Sequence, residues 1–179
     1  MRTSQITALA SLAIGLSSLK AQSPPVASPY VWLKGDAGVT ESGGVVTQWI
    51  DSSSSGHVFS AAAGLEPVLT SSAVNGLPAV SFDGTDRMTG VPGGTLPSAA
   101  VFTLLRYSVE DSNNDYVYTI GNAGSSGSQM TLSRQSSRRA YHYDGSSTNL
   151  SDTESFPSNE WLVTQQIYGS PNPMSHRLQ

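Results

Sequence analysis

The chain has 179 residues, a formal net charge of −4 and no cysteine. The excess of acid excludes an electrostatic footprint for nucleic acid or an anionic membrane surface. The missing thiols exclude cysteine nucleophiles and cysteine-held metals, and a domain of about 150 residues buries enough core without disulfides.

Met1–Gln5 carries Arg2 as its only charge, and Ile6–Leu19 carries none. Lys20-Ala21 and polar Gln22-Ser23 follow. This pattern predicts a secretory signal peptide over residues 1–21, cut after Ala21 with Leu19 at the minus-three position. The apolar run falls short of the roughly 20 residues that span a bilayer. The expected product is secreted or held at the cell surface, without membrane insertion after cleavage. Residues 22–29, with Pro24-Pro25, read as an extended linker, and the domain occupies residues 30–179.

Tyr30–Lys34 predicts a first strand with Val31 and Leu33 on one face. Gly35–Gly38 and Gly43-Gly44 are turns, and Val45–Ile50 is a second strand. Val58-Phe59 and Pro67–Leu69 read as short edge segments, since proline suits a strand edge. Asn75-Gly76 is a turn dipeptide, and Ala79–Phe82 alternates so that Val80 and Phe82 face a core. Truncating a buried Phe82 to alanine would then cost about 3–5 kcal/mol. Asp83–Asp86 is a further turn. Ala99–Val109 is apolar at successive positions, the pattern of a central strand covered on both faces. Tyr116–Ile120, Gln129–Arg134 and Arg138–Tyr143 follow as strands between Gly/Ser turns. Glu160–Tyr168 is the last clear strand, with Trp161, Val163 and Ile167 on one face. No mature segment keeps helical apolar spacing over three turns. Many short strands between regular turn signals indicate an all-β sandwich or barrel.

The stretch Asn75–Met88, NGLPAVSFDGTDRM, resembles the NG-x-P-x-V-x-F-DG-x-x-D segment of laminin-G-like jelly-roll domains. Those domains belong to the concanavalin A-like lectin/glucanase superfamily. The opening VWLKGDAGV is similar to the family's LWLKADAGV strand and glycine-rich turn. Trp49–His57 is similar to its W-x-D-x-SG-x-GH turn, with Ser54 and Ser55 where glycine and asparagine are common. The resemblance implies an antiparallel β-sandwich, a concanavalin A-like jelly roll. It spans residues 30–179 and only the front part of the family domain. Arg177–Gln179 would open a further strand, so the domain is expected to be incomplete at its C-terminus, a fragment. Open strand edges invite aggregation, and residues 22–179 alone are expected to be aggregation-prone or only partly folded.

The glucanase branch of that superfamily works with carboxylates in an E-x-D-x-x-E strand motif, where two carboxylates flank a sugar bond. No glutamate here is followed two residues later by aspartate. Glu110-Asp111 is adjacent, so its side chains diverge on a strand. No G-x-S-x-G elbow, phosphate loop or zinc-protease motif occurs. His57, His142 and His176 are widely spaced and are assigned to a turn, a strand face and the tail.

Asp111-Ser112-Asn113-Asn114-Asp115 sets oxygens at alternate positions, as a calcium loop does. Tyr116 stands where such a loop needs glycine, and no glutamate closes it, so a polar hairpin turn is the simpler reading. Calcium is the one cofactor left open, with Asp83, Asp86, Asp111 and Asp115 as its oxygen donors. Sugars stack their apolar faces on aromatic rings. Packing accounts for Trp32, Trp49 and Trp161. Tyr141, Tyr143 and neighbouring Arg139 are the candidate ligand-binding residues. Arg134, Arg138 and Arg139 otherwise read as a solvated basic loop. The expected function is a non-catalytic module that binds carbohydrate or an extracellular protein partner. The alternatives are a glycoside hydrolase and a purely structural surface-protein segment.

Overall fold

The computed structural model describes residues 26–94, 98–107, 115–121, 129–135, 139–143, 149–155, 157–169 and 175–178. The predicted signal segment and Asp111 lie outside them. Among the described residues the chain is all-β, its sheets antiparallel and without a helix. None of its elements is therefore a helix long and apolar enough to cross a membrane. Contacts divide the chain into two compact units. One is Met1–Phe82 with Asp86–Val91; the other is Asp83–Thr85 with Pro92–Gln179.

In the first unit, β1 (Val39–Ser42), β2 (Val45–Ile50), β3 (Val58–Ala61) and β6 (Met88–Thr89) form one sheet in that order. The strands β4 (Val68–Val74) and β5 (Leu77–Ser81) pair as a hairpin. Gly43-Gly44 joins β1 to β2 and Asn75-Gly76 joins β4 to β5, each with both residues at positive φ. Such two-residue turns match the twist of the flanking strands, which is why Asn-Gly and Gly-Gly mark hairpins. Val46, fully buried, donates its amide to the Pro67 carbonyl at 2.7 Å.

The predicted first strand does not form. Among the described residues Tyr30–Lys34 joins no sheet, only an isolated bridge from Lys34 to Ala37, and its backbone groups are used one at a time. Trp32 accepts from the Ser52 amide at 2.8 Å, and its own amide reaches the Asp51 carboxylate at 3.4 Å. The Lys34 carbonyl accepts from the Trp49 indole at 2.8 Å. Gly35 closes this corner: a Cβ there would lie 2.4 Å from the Pro78 carbonyl oxygen.

Asp51 organises the turn that follows β2. It is 4 % exposed, and its carboxylate accepts from the amides of Ser53 at 2.6 Å and His57 at 2.5 Å. Burial pushes its pKa up, but the bonds from Ser53, His57 and Trp32 outweigh burial and hold the carboxyl below its ordinary value. The turn is thus built around a charge satisfied by backbone donors, with the His57 ring tilted against Tyr30 at 5.5 Å between centroids.

Three further expectations are corrected in this unit. The strand β3 is not an edge; it lies between β2 and β6. The strand β5 ends at Ser81, so Phe82 lies past the last pair, Val68 with Ser81. The pleat no longer sets its direction, and Phe82 is 47 % exposed. Ala79 is half-buried along with Val80, so the expected alternation fails there too. Phe82→Ala should therefore change stability by less than about 1 kcal/mol in a urea titration, the range of surface substitutions.

In the second unit, β7 (Ser98–Leu105), β12 (Leu162–Gly169) and β13 (Ser175–Leu178) form a sheet with β12 in the middle. The strands β8 (Asp115–Gly121), β9 (Gln129–Gln135), β10 (Arg139–Tyr143) and β11 (Asn149–Ser155) form a four-stranded meander. The two sheets touch through Leu132 of β9, fully buried against Leu105, Tyr107, Val117, Tyr118 and Leu162. The strand β11, NLSDTES, has no apolar alternation and was not predicted. His176 lies in β13 rather than in a tail.

Two faces differ from expectation here. The strand β7 is not central but ends its sheet among the described residues. Val101, Thr103 and Leu105 are half-buried, while Phe102 and Leu104 are 48 % and 53 % exposed. On β12, Val163 and Ile167 are exposed, and Thr164 and Gln166 are buried instead. The reason is pairing across the unit: Leu162, Thr164 and Gln166 share the side that meets Leu132 and Tyr118.

Candidate functional site

The sequence-predicted residues Arg139, Tyr141 and Tyr143 occupy alternate positions of β10, an inner strand of the meander. Alternate positions of a strand share one sheet face. Pairing sets Tyr141 opposite Ser133 of β9 and Ser151 of β11. Tyr143 pairs with Thr131 and Asn149, and Arg139 with Gln135 and Ser155. Leu132 alternates with 131 and 133 along β9, so these rows lie on the face away from the buried Leu132.

The β8 ladder extends the same rows. Tyr116 pairs with Ser133, and Thr119 with Thr131. Tyr116, Ser133, Tyr141 and Ser151 therefore form one row across four strands, with two tyrosine positions roughly 10 Å apart at two strand spacings. Tyr116 is 70 % exposed and Thr119 is exposed. The face combines tyrosine, hydroxyl and amide positions with one arginine, Arg139.

Sequence reasoning missed Tyr116. Tyr116 and Tyr118 are two apart, so regular alternation assigns both to one face. A register shift between them separates the two. Tyr118 turns inward and donates its hydroxyl to the Gln166 Oε1 of β12. Burial pushes its phenol well above the ordinary tyrosine range, which keeps the donor proton in place. Nearby, the buried Thr164 hydroxyl has no partner among the described residues. The DYVYTIG stretch gives no sign of the bulge, because Val117 suits a regular strand equally well.

The pairing also divides the basic loop. Arg134 pairs with Asp115 and Ala140, the alternate set from Arg139. Arg138 lies outside the described residues. The three tryptophans are half-buried. Lys34 stands 5.2 Å above the Trp32 ring, and Arg106 stands 5.3 Å from the Trp161 ring. Each of these two rings therefore carries its own cation.

Of the four calcium donors named from the sequence, Asp111 lies outside the described residues. Asp83 Oδ1 accepts from both the amide and the hydroxyl of Thr85, each at 2.8 Å, which fixes the Asp83–Asp86 turn. Asp86 belongs to the first unit and Asp83 to the second. Asp115 opens β8. No group of three or more metal-ligating side chains occurs among the described residues. No family model, curated protein or solved structure matches this chain.

Proposed function

We propose that the protein is a secreted, non-catalytic binding module, exported by cleavage after Ala21, and that it holds carbohydrate on the open face of the β8–β11 sheet. The observation that carries this reading is the cross-strand row Tyr116–Ser133–Tyr141, with Tyr116 largely exposed. Tyrosine faces offer apolar area for sugar stacking at little entropy cost, and the interleaved hydroxyl and amide positions supply hydrogen bonds. The finer architecture is a concanavalin A-like jelly roll. Support comes from the motifs around Asn75–Met88 and Trp49–His57 and from two antiparallel sheets that meet at Leu132.

Glycan-array screening with a parallel hydrolysis assay tests the function. A bound glycan, released unchanged, is the expected result. Tyr116→Ala should weaken that binding at least tenfold, about 1.4 kcal/mol, while leaving the thermal midpoint within the range of a surface substitution. Cleavage of the glycan would establish the hydrolase reading instead. Absence of any glycan binding would overturn the proposal.

A further inference from the structure

We infer that β7 is a self-pairing edge, through which two copies of this chain associate by antiparallel β7–β7 pairing centred on Phe102. The strand pairs with β12 from Ser98 to Leu105 without a register shift. No strand pairs with its other side among the described residues. Exposed edges normally carry a charge, a proline or a bulge that blocks further pairing. The β7 sequence, SAAVFTLL, carries no charge and no proline, and its ladder has no bulge. By contrast, the β1–β2, β4–β5, β8–β9 and β10–β11 ladders all contain register shifts.

The partner is a second copy because the strand is complementary to itself. Directly opposed residues of an antiparallel pair share a face, so a two-fold pairing must match even positions with even ones. Centring it on Phe102 sets Leu104 opposite Ala100 and Leu105 opposite Ala99, large against small on both faces. Val101 then faces Thr103, and Phe102 faces its own copy. On the exposed face, Leu104 with its β12 neighbour Val163 then meets Ala100 and its neighbour Ile167 of the other copy, on either side of a central Phe102 pair flanked by Gln165. No charge on β7 opposes the approach. A two-fold contact of this kind closes on itself and yields dimers rather than fibres.

The lack of native cysteine makes the geometry testable. Directly opposed strand residues have Cα atoms about 4.5–5.5 Å apart, within disulfide range. In the full mature chain, Phe102→Cys should cross-link quantitatively into a dimer under mild oxidation, while exposed Thr119→Cys should not. In sedimentation equilibrium the unaltered chain should show a reversible monomer–dimer equilibrium. Phe102→Lys and Phe102→Glu, each checked for a cooperative melt, should be monomeric alone and dimeric when mixed. A monomer at every concentration, open-ended assembly, equal cross-linking at 102 and 119, or no dimer in the mixture would each overturn the inference.

Discussion

Leu132→Ala should lower the stability of the second unit by about 2–5 kcal/mol, one of the largest losses any single truncation here can cause. Leu132 has no solvent exposure and joins both sheets of that unit through Leu105, Tyr107, Val117, Tyr118 and Leu162. Removing it costs the transfer energy of the lost atoms and leaves a void that two opposed sheets cannot collapse to fill. Few other apolar side chains are fully buried among the described residues, so no neighbouring core compensates. A domain's total stability is only about 5–15 kcal/mol, so the loss is a large share of it. Urea titration measures it as a lower midpoint at unchanged slope. Val163→Ala, on the exposed face of β12, should cost far less. Equal losses at the two positions would show that the sheets do not meet at Leu132.

Asp51→Ala is the second large effect, at about 3–5 kcal/mol, and it acts through hydrogen bonds rather than packing. The substitution strands the amides of Trp32, Ser53 and His57, and hydrogen bonds to a charged group are worth roughly 1.5–3 kcal/mol each. Asp51→Asn should recover part of the loss, since its carbonyl accepts but its NH2 faces a donor. The pH dependence has a definite sign. Hydrogen bonding holds the folded Asp51 carboxyl below its unfolded value, despite the opposing effect of burial. Its contribution is therefore complete above the unfolded carboxylate range and is lost as pH falls through the lowered folded value. Acid titration of stability in the original chain and in Asp51→Asn should differ over that window, with the shallower loss in the asparagine variant. Parallel curves would remove Asp51 as the organising charge of the turn.

Local chemistry in the sequence determined the all-β class and most strand positions. Asn75-Gly76 and Gly43-Gly44 specify their hairpins because both turn residues must take positive φ, which few other residue pairs accept. The strand Val45–Ile50 was legible end to end for the same reason: a turn precedes it and the Asp51 turn ends it. Tyr141 and Tyr143 were legible as alternate positions of one strand, because alternation along a regular strand is set by the pleat alone.

Contacts distant in sequence decided the rest. Tyr30–Lys34 has strand composition, yet backbone groups of Trp32 and Lys34 are claimed by Ser52, Asp51 and Trp49, distant in sequence. Thr164 and Gln166 are buried in place of Val163 and Ile167 because Tyr118, on another sheet, needs an acceptor and Leu132 needs a wall. Tyr116 joined the candidate site only because one extra residue, Val117, shifts the β8–β9 register and sends two tyrosines to opposite faces. A bulge is a property of the paired ladder, not of either strand alone, so the sequence by itself could place the tyrosines on a strand but not choose between them.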